Sequence, residues 1–446
     1  MNNNAILALD IGSTKITAII AQNDLNNRIN ILGVGNLKSN GINKGSIVDI
    51  NLASDTVNKA IDIAKKSCEI DIQKTFVSIS SANSKSVRSS GVASIQSGQI
   101  TYNEINQVLQ MALYNANIIP EYEAIHVLPL YFKIDDSSAI INPLNMYGSR
   151  LEVYVNIVTV KKTTLINTQN TLKKSNILAT NFVLSGYASS IAILTNEQKK
   201  IGIAVFDLGG STSELTVFQN GTISYNDCIP IGSENITSDL SIMLHTPYKA
   251  ANMIKNQYGT LVITEDDYNI SENQTISKVK IPLLGNESES QEIPLTKIQP
   301  IIHARIEELL ILLKDKLISS NMLEHINGGI VITGGMSKTI GIKELANKIF
   351  DDIPIKISTP INIGNGYIDF NNPALSTIVG LLQYALDTDP FFEIDSNKEL
   401  RKKVEKQKIT NDIAINTIKQ EDTFSSIDIK DNIKENTLWD KLGKWL

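Results

Sequence analysis

Two segments far apart in this chain carry the same short pattern, and an internal repeat of that kind restricts the architecture more than any composition does. Ala5–Leu9 is an apolar run ending in Asp10, followed by Gly12, Ser13, Thr14 and Lys15. Ile203–Phe206 is a second apolar run ending in Asp207, followed by Gly209, Gly210, Ser211 and Thr212. Each turn leads into another extended run, Ile16–Ala21 in the first case and Glu214–Phe218 in the second. Both units therefore read as strand, Asp, Gly-rich turn, strand: a β-hairpin. The dipeptide Asn220–Gly221 closes the second unit with another reverse turn. A third signal runs the strand Ile330–Ile332 into Thr333, Gly334 and Gly335, with a helix expected over Ile342–Phe350.

Between these landmarks helical periodicity marks Leu52–Lys66, Lys161–Ser175, Tyr187–Leu194 and Leu295–Leu317. The stretch from Ser84 to Val160 differs. Three strand-like runs (Gly91–Ile95, Ala124–Ile134, Arg150–Val160) surround one helix at Tyr102–Ala116, enough for a small α+β insertion. From Ser396 polar residues dominate, with no Gly or Pro punctuation until near the end, which reads as a flexible tether. The last residues, TLWDKLGKWL, change character again. On a helix Leu438, Trp439, Leu442, Trp445 and Leu446 share one face, while Asp440, Lys441 and Lys444 take the other. A Trp-bearing amphipathic helix suits a membrane interface, bound reversibly one tail at a time and more firmly by many tails together. Packing of the same helix against the body is the competing reading.

Composition narrows the classes further. The chain has 446 residues, roughly three domains' worth. With 42% hydrophobic and 20% charged residues it can bury real cores. A formal net charge of −6 does not suit a phosphate-backbone binder, so no nucleic acid is expected. No apolar run approaches the roughly 20 residues of a spanning helix, and Asp10 interrupts the only apolar stretch at the N-terminus. A cytosolic, multidomain body is the expectation. Cys68 and Cys228 lie far apart, and His126, His245, His303 and His325 show no ligand spacing, so no metal held directly by the protein is expected.

A hairpin turn of Gly, Ser and Thr gathers several backbone N–H groups into a concavity that fits a phosphate. An Asp at the strand end can hold a hydrated Mg2+, which keeps most of its waters. Lys15 could then neutralise phosphate charge. Either hairpin alone reads first as an ordinary surface turn; two copies beside a third Gly-Gly loop reverse that and favour a nucleotide cleft.

This constellation resembles the actin/Hsp70/sugar-kinase ATPase superfamily, with DIGSTK and DLGGST as its phosphate loops and ITGGMS as its adenosine-side loop. The resemblance implies an α/β fold of two actin-like (ribonuclease H-like) lobes binding ATP and Mg2+. It implies Asp10 and Asp207 as organisers of metal and water. Nucleotide contacts would come from Gly12, Ser13, Thr14, Lys15, Gly209, Gly210, Ser211, Thr212, Gly334, Gly335 and Met336, and on the adenosine side from Lys255 and Tyr258. Within the superfamily the chain is most similar to the FtsA family of bacterial cell-division proteins. That likeness rests on SNGINKGSIVDI, GYASSIAIL, IPIGSENITSDLS, IVITGGMSKTIGIKELA and NNPALSTIVGLLQYA, and on an early insertion.

The resemblance implies subdomain 1A over 1–83, 161–195 and 368–390, with an inserted, SHS2-like subdomain 1C over 84–160. It implies subdomain 2A over 196–240 and 324–367, subdomain 2B over 241–323, a linker over 391–434 and the amphipathic helix over 435–446. Members polymerise beneath the cytoplasmic membrane at the division site, tether FtsZ to it and help recruit later divisome proteins through 1C. The acidic FtsZ tail would meet Arg305. The segment Val183–Ala188, where superfamily relatives often place Glu or Gln, holds Ser185, Gly186 and Tyr187, so slow turnover is expected. A pilus-type actin-like scaffold and a sugar-kinase-like enzyme are the alternatives.

Overall fold

A computed structural model describes residues 5–24, 28–68, 70–261, 278–361, 363, 369–386 and 392–402. Two five-stranded sheets of the same topology organise the body. In the first, Ile29–Lys38, Lys15–Asn23 and Ala5–Ile11 form an antiparallel meander, and Ile72–Ile79 and Asn181–Leu184 add on in parallel. In the second, Thr222–Ile229, Ser213–Gln219 and Ile203–Leu208 form the meander, and Ile330–Thr333 and Ile355–Ile357 add on in parallel. The sequence repeat is thus a repeat of whole lobes. Ala5–Leu9 is buried along its entire length, because a central strand covered on both faces has no solvent side to alternate toward.

Helices cover the sheets. Ile50–Lys65 starts at Asp49, whose carboxylate accepts from the amides of Asn51 and Leu52 as an N-cap. Ser185–Ile193, with its serine hydroxyls hydrogen-bonded, is buried nearly all round and packs against Ser376–Leu386. Their backbones touch at Gly380, where a Cβ would stand 1.7 Å from the Ala188 carbonyl oxygen. Gly380→Ala is accordingly expected to cost about 3 kcal/mol or more, since the two helices would have to separate. The midpoint of denaturant unfolding checks this; an unchanged midpoint would contradict the crossing.

The insertion is a separate sheet bearing the helix Tyr102–Tyr114, which carries a complete capping box between Thr101 and Glu104. Its strand order is Leu400–Lys402, Phe392–Ile394, Tyr122–Ile134, Arg150–Lys161 and Ser84–Ser94. The two strands after residue 391 correct the expectation of a linker starting there. Phe392 and Ile394 alternate into the insertion's core, and Asp395 caps the turn by accepting from the amides of Asn397 and Glu399. The polar look of this stretch arises because its charges are used inside: Glu393 is fully buried among His126, Tyr384 and Arg401. Residues 403–446, and with them the amphipathic helix, lie outside the described residues. Among the described residues no helix is long and apolar enough to cross a membrane.

Candidate nucleotide cleft

The two Asp-Gly hairpins face one another across a single cleft. It is lined by Asp10, Gly12, Ser13, Thr14 and Lys15 from the first lobe and by Asp207, Gly209, Gly210, Ser211 and Thr212 from the second. Gly334 and Gly335 close it from a third strand end. The turns are closed alike: the Gly12 amide donates to the Lys15 carbonyl at 3.0 Å, and the Gly209 amide to the Thr212 carbonyl at 2.9 Å. Matching turns on matching strands follow from the matching sequence.

The electrostatics are those of two carboxylates withdrawn from water. Asp10 accepts from the Ser78 hydroxyl at 2.8 Å; burial raises its pKa, partly offset by the Lys15 charge and that hydrogen bond. Asp207 is pushed up to about 7, first by burial and then by the Glu214 charge. Lys15 reaches across to donate to the Ala374 carbonyl at 2.6 Å, and burial lowers its pKa against the pull of both aspartates. Burial disfavours the charged form of both carboxyls, and a cation placed beside them would restore it.

A triphosphate fits these residues. Ser211 Oγ is buried in the lining and has no hydrogen-bond partner, an unusual condition for a hydroxyl. Gly334 has φ +88°, and a Cβ there would stand 2.4 Å from Asp207 Oδ1, so the backbone is kept bare where the third loop meets the second hairpin. ATP would be held by the two turns, with Mg2+ beside Asp10 and Asp207. Among the described residues no cluster of three or more His, Cys, Asp or Glu could hold a metal by itself.

Other expected residues lie elsewhere. Met336 is buried in the second lobe's core and does not line the cleft, and Tyr258 packs partly buried against that core. Lys255 stands one layer behind, donating to the Ser233 carbonyl at 3.1 Å and to Thr237 Oγ1 at 2.8 Å. Arg305 sits on the helix Leu295–Ser319, paired with Asp239 at 2.7 Å and Glu308 at 2.5 Å. Leu438, Trp439, Leu442, Trp445 and Leu446 fall outside the described residues.

Sequence reasoning missed Glu214. Its carboxylate lines the cleft and accepts from Ser80 Oγ at 3.0 Å, from the Ser81 amide at 3.0 Å and from Ser81 Oγ at 2.7 Å. Ser185 Oγ also donates to it, at 2.7 Å. A charge placed in an otherwise apolar, buried strand directly after a phosphate turn was the available signal.

The sequence profile described as "Cell division protein FtsA" matches residues 204–380, and that described as "SHS2 domain inserted in FTSA" matches residues 81–159. Cell division protein FtsA of Helicobacter pylori is 33% identical over 423 residues, covering 89% of this chain and 85% of that protein. The same-named protein of Neisseria meningitidis is 32% identical, covering 85% of this chain and 90% of its own. That of Bacillus subtilis is 31% identical, covering 86% and 84%. Among solved structures, a chain of a PilM–PilN type IV pilus biogenesis complex superposes with TM-score 0.58 at 12% identity, covering 86% of this chain and 98% of that one. MreB5 of Spiroplasma citri bound to ADP gives 0.51 at 13%, covering 85% and 95%. At such identities these two show a shared actin-like fold. On the sequence relatives, this chain belongs to the FtsA family of cell division proteins.

Proposed function

We propose that this chain is an ATP-binding scaffold that polymerises on the cytoplasmic face of the cell membrane at the division site and tethers FtsZ there. The observation that carries the nucleotide part is the convergence of Asp10 and Asp207, with both Gly-Ser-Thr turns, on one cleft. Bound ATP with Mg2+ supplies a divalent charge and a cleavable phosphoanhydride. The protein's own part is to orient it: turn amides and the Ser211 hydroxyl face the phosphates, and Lys15 adds positive charge. Glu214 is the carboxylate available to orient a water. Its oxygens are already held by donors from three serines, so orienting a water would require giving up some of these bonds, which supports slow turnover. Nucleotide is then chiefly a switch for assembly.

Because burial and the Glu214 charge push the Asp207 carboxyl up to about 7, a cation taken up beside it favours loss of its proton. Mg2+-dependent ATP affinity is therefore expected to rise several-fold from pH 6 to pH 7.5 and then level off. Titration at fixed ionic strength checks this; an affinity that falls over the interval would contradict the role of Asp207.

The membrane part rests on the amphipathic pattern of Leu438–Leu446. Each Lys near an anionic leaflet adds roughly 1 kcal/mol, but Glu435 and Asp440 offset the lysines, so dependence on anionic lipid should be mild. Partners by this reading are FtsZ through its acidic tail, further copies of the chain, lipids, and later division proteins through the insertion. An acidic peptide approaching Arg305 has to displace Asp239 or Glu308 from it. Vesicle pelleting with FtsZ, with and without ATP, tests the tether. Full-length protein should carry FtsZ down with the vesicles, and deletion of 436–446 should reduce this at least tenfold. Undiminished pelleting by the truncated chain would refute the anchor.

A further inference from the structure

The inserted unit is continuous in chain with the first lobe, yet its entry point is bonded to the second. The chain leaves the first sheet at Ile79, makes one tight turn at Ser81–Asn83 and enters the insertion at Ser84. That turn holds Glu214 of the second lobe through the Ser81 amide and hydroxyl, with Ser80 Oγ beside them. It also reaches the first hairpin. Asn83 Nδ2 donates to Ser46 Oγ at 2.9 Å, and the neighbouring Gly45 amide donates to Ser13 Oγ at 3.0 Å. One three-residue turn is therefore wired to both Asp-Gly hairpins.

Beyond the turn the insertion stays in touch with the second lobe. Asn226 Nδ2 donates to Ser84 Oγ at 2.7 Å, Ser86 Oγ donates to Asn226 Oδ1 at 2.7 Å, and Arg88 donates to the Ser224 carbonyl at 2.6 Å. Both Ser224 and Asn226 are buried, as is Glu214, so these are contacts made away from water, where an exchange of partners is costly. Hydrogen bonds to an ionised carboxylate are among the stronger ones available.

We propose that Glu214 and the Ser81–Asn83 turn form a nucleotide-sensing link, which transmits occupancy of the cleft to the inserted unit. This rests on the nucleotide reading above. Glu214 has two sets of partners: the serine donors that hold it now, and whatever cation-bearing ligand occupies the cleft it lines. A ligand that draws the carboxylate toward itself loosens Ser80 and Ser81. Any relative movement of the lobes strains the joint at Asn226 and Arg88. Both effects act on the strand Ser84–Ser94, at the insertion's root, and only a ligand that favours one arrangement over the other can shift it. The insertion then changes its disposition with nucleotide state, which supplies a means for ATP to alter contacts made by that unit.

Amide hydrogen exchange on the full-length protein tests the link, with nucleotide occupancy measured separately by a fluorescent ATP analogue. ATP with Mg2+ is expected to change exchange at Ser81–Ser90 by at least threefold in the wild type. In Ser81→Ala, at nucleotide concentrations giving the same occupancy, that change should fall to less than half. Asn226→Ala, at the second joint, should weaken it likewise and stands in if Ser81→Ala fails to fold. Bound nucleotide with no exchange change over Ser81–Ser90 overturns the link and leaves the nucleotide reading intact. An undiminished change in both variants also overturns it. Absence of nucleotide binding to the wild type overturns both.

Discussion

Replacing Glu393 with alanine is expected to cost about 3–5 kcal/mol of stability, the largest effect of any substitution outside the cleft. Glu393 is fully buried, and four elements converge on it. His126 Nδ1 lies 2.5 Å from Oε1, the Tyr384 hydroxyl donates at 2.8 Å, Tyr187 donates at 3.4 Å and Arg401 stands 3.5 Å away. His126 is itself fixed by the Leu184 amide, which donates to Nε2 at 3.0 Å and so leaves the Nδ1 side facing the carboxylate. Alanine would leave this polar set buried without its shared acceptor. It would also release the strand Phe392–Ile394, which ties the chain just before the tail to the insertion and the first lobe. Burial pushes the Glu393 carboxyl up, but His126, Arg401 and Tyr384 outweigh it and hold the pKa below its ordinary 4.5. A depressed carboxylate stabilises the fold above the unfolded value and ceases to do so as pH falls through the folded one. The stability difference between wild type and variant should therefore be full at neutral pH and shrink below about pH 4.5. Denaturant midpoints at pH 7 and pH 4 check both; equal midpoints at pH 7 would contradict the network.

Gly334→Val should abolish nucleotide binding, with affinity at least about 100-fold weaker. The left-handed backbone at Gly334 is strained for any residue with a Cβ, and most of all for a β-branched one. The Cβ would also stand 2.4 Å from Asp207 Oδ1 and 2.5 Å from the Leu208 carbonyl, so it must displace the second carboxylate. Titration with ATP, beside an unfolding curve showing that the variant still folds, measures the effect. Binding within tenfold of the wild type would mean that the third loop is not part of the site.

Local chemistry made part of this readable in advance. The Asp-Gly turns, the strands beside them and the helix Ile342–Phe350 follow from turn residues and periodicity, which act over a few positions. That both lobes share one strand order did not follow, because parallel neighbours such as Ile72–Ile79 and Asn181–Leu184 join across more than a hundred residues. The strands after residue 391 were hidden by their charges, since Glu393 and Arg401 look solvent-facing until their partners from other elements are known. Glu214 was hidden for a related reason: its serine partners come from Ser80, Ser81 and Ser185. Met336, Lys255 and Tyr258 were named by likeness of motif alone, and their positions, in the second lobe's core or against a neighbouring helix, could not be read from the residues around them.

Calorimetric titration of the full-length protein with ATP at pH 7.5, with and without Mg2+, tests the central claim most directly. The geometry of the two hairpins predicts one nucleotide per chain, bound at least tenfold more tightly with Mg2+ and lost in Gly334→Val. Absence of saturable binding at millimolar ATP, or binding indifferent to both Mg2+ and Gly334→Val, would contradict it.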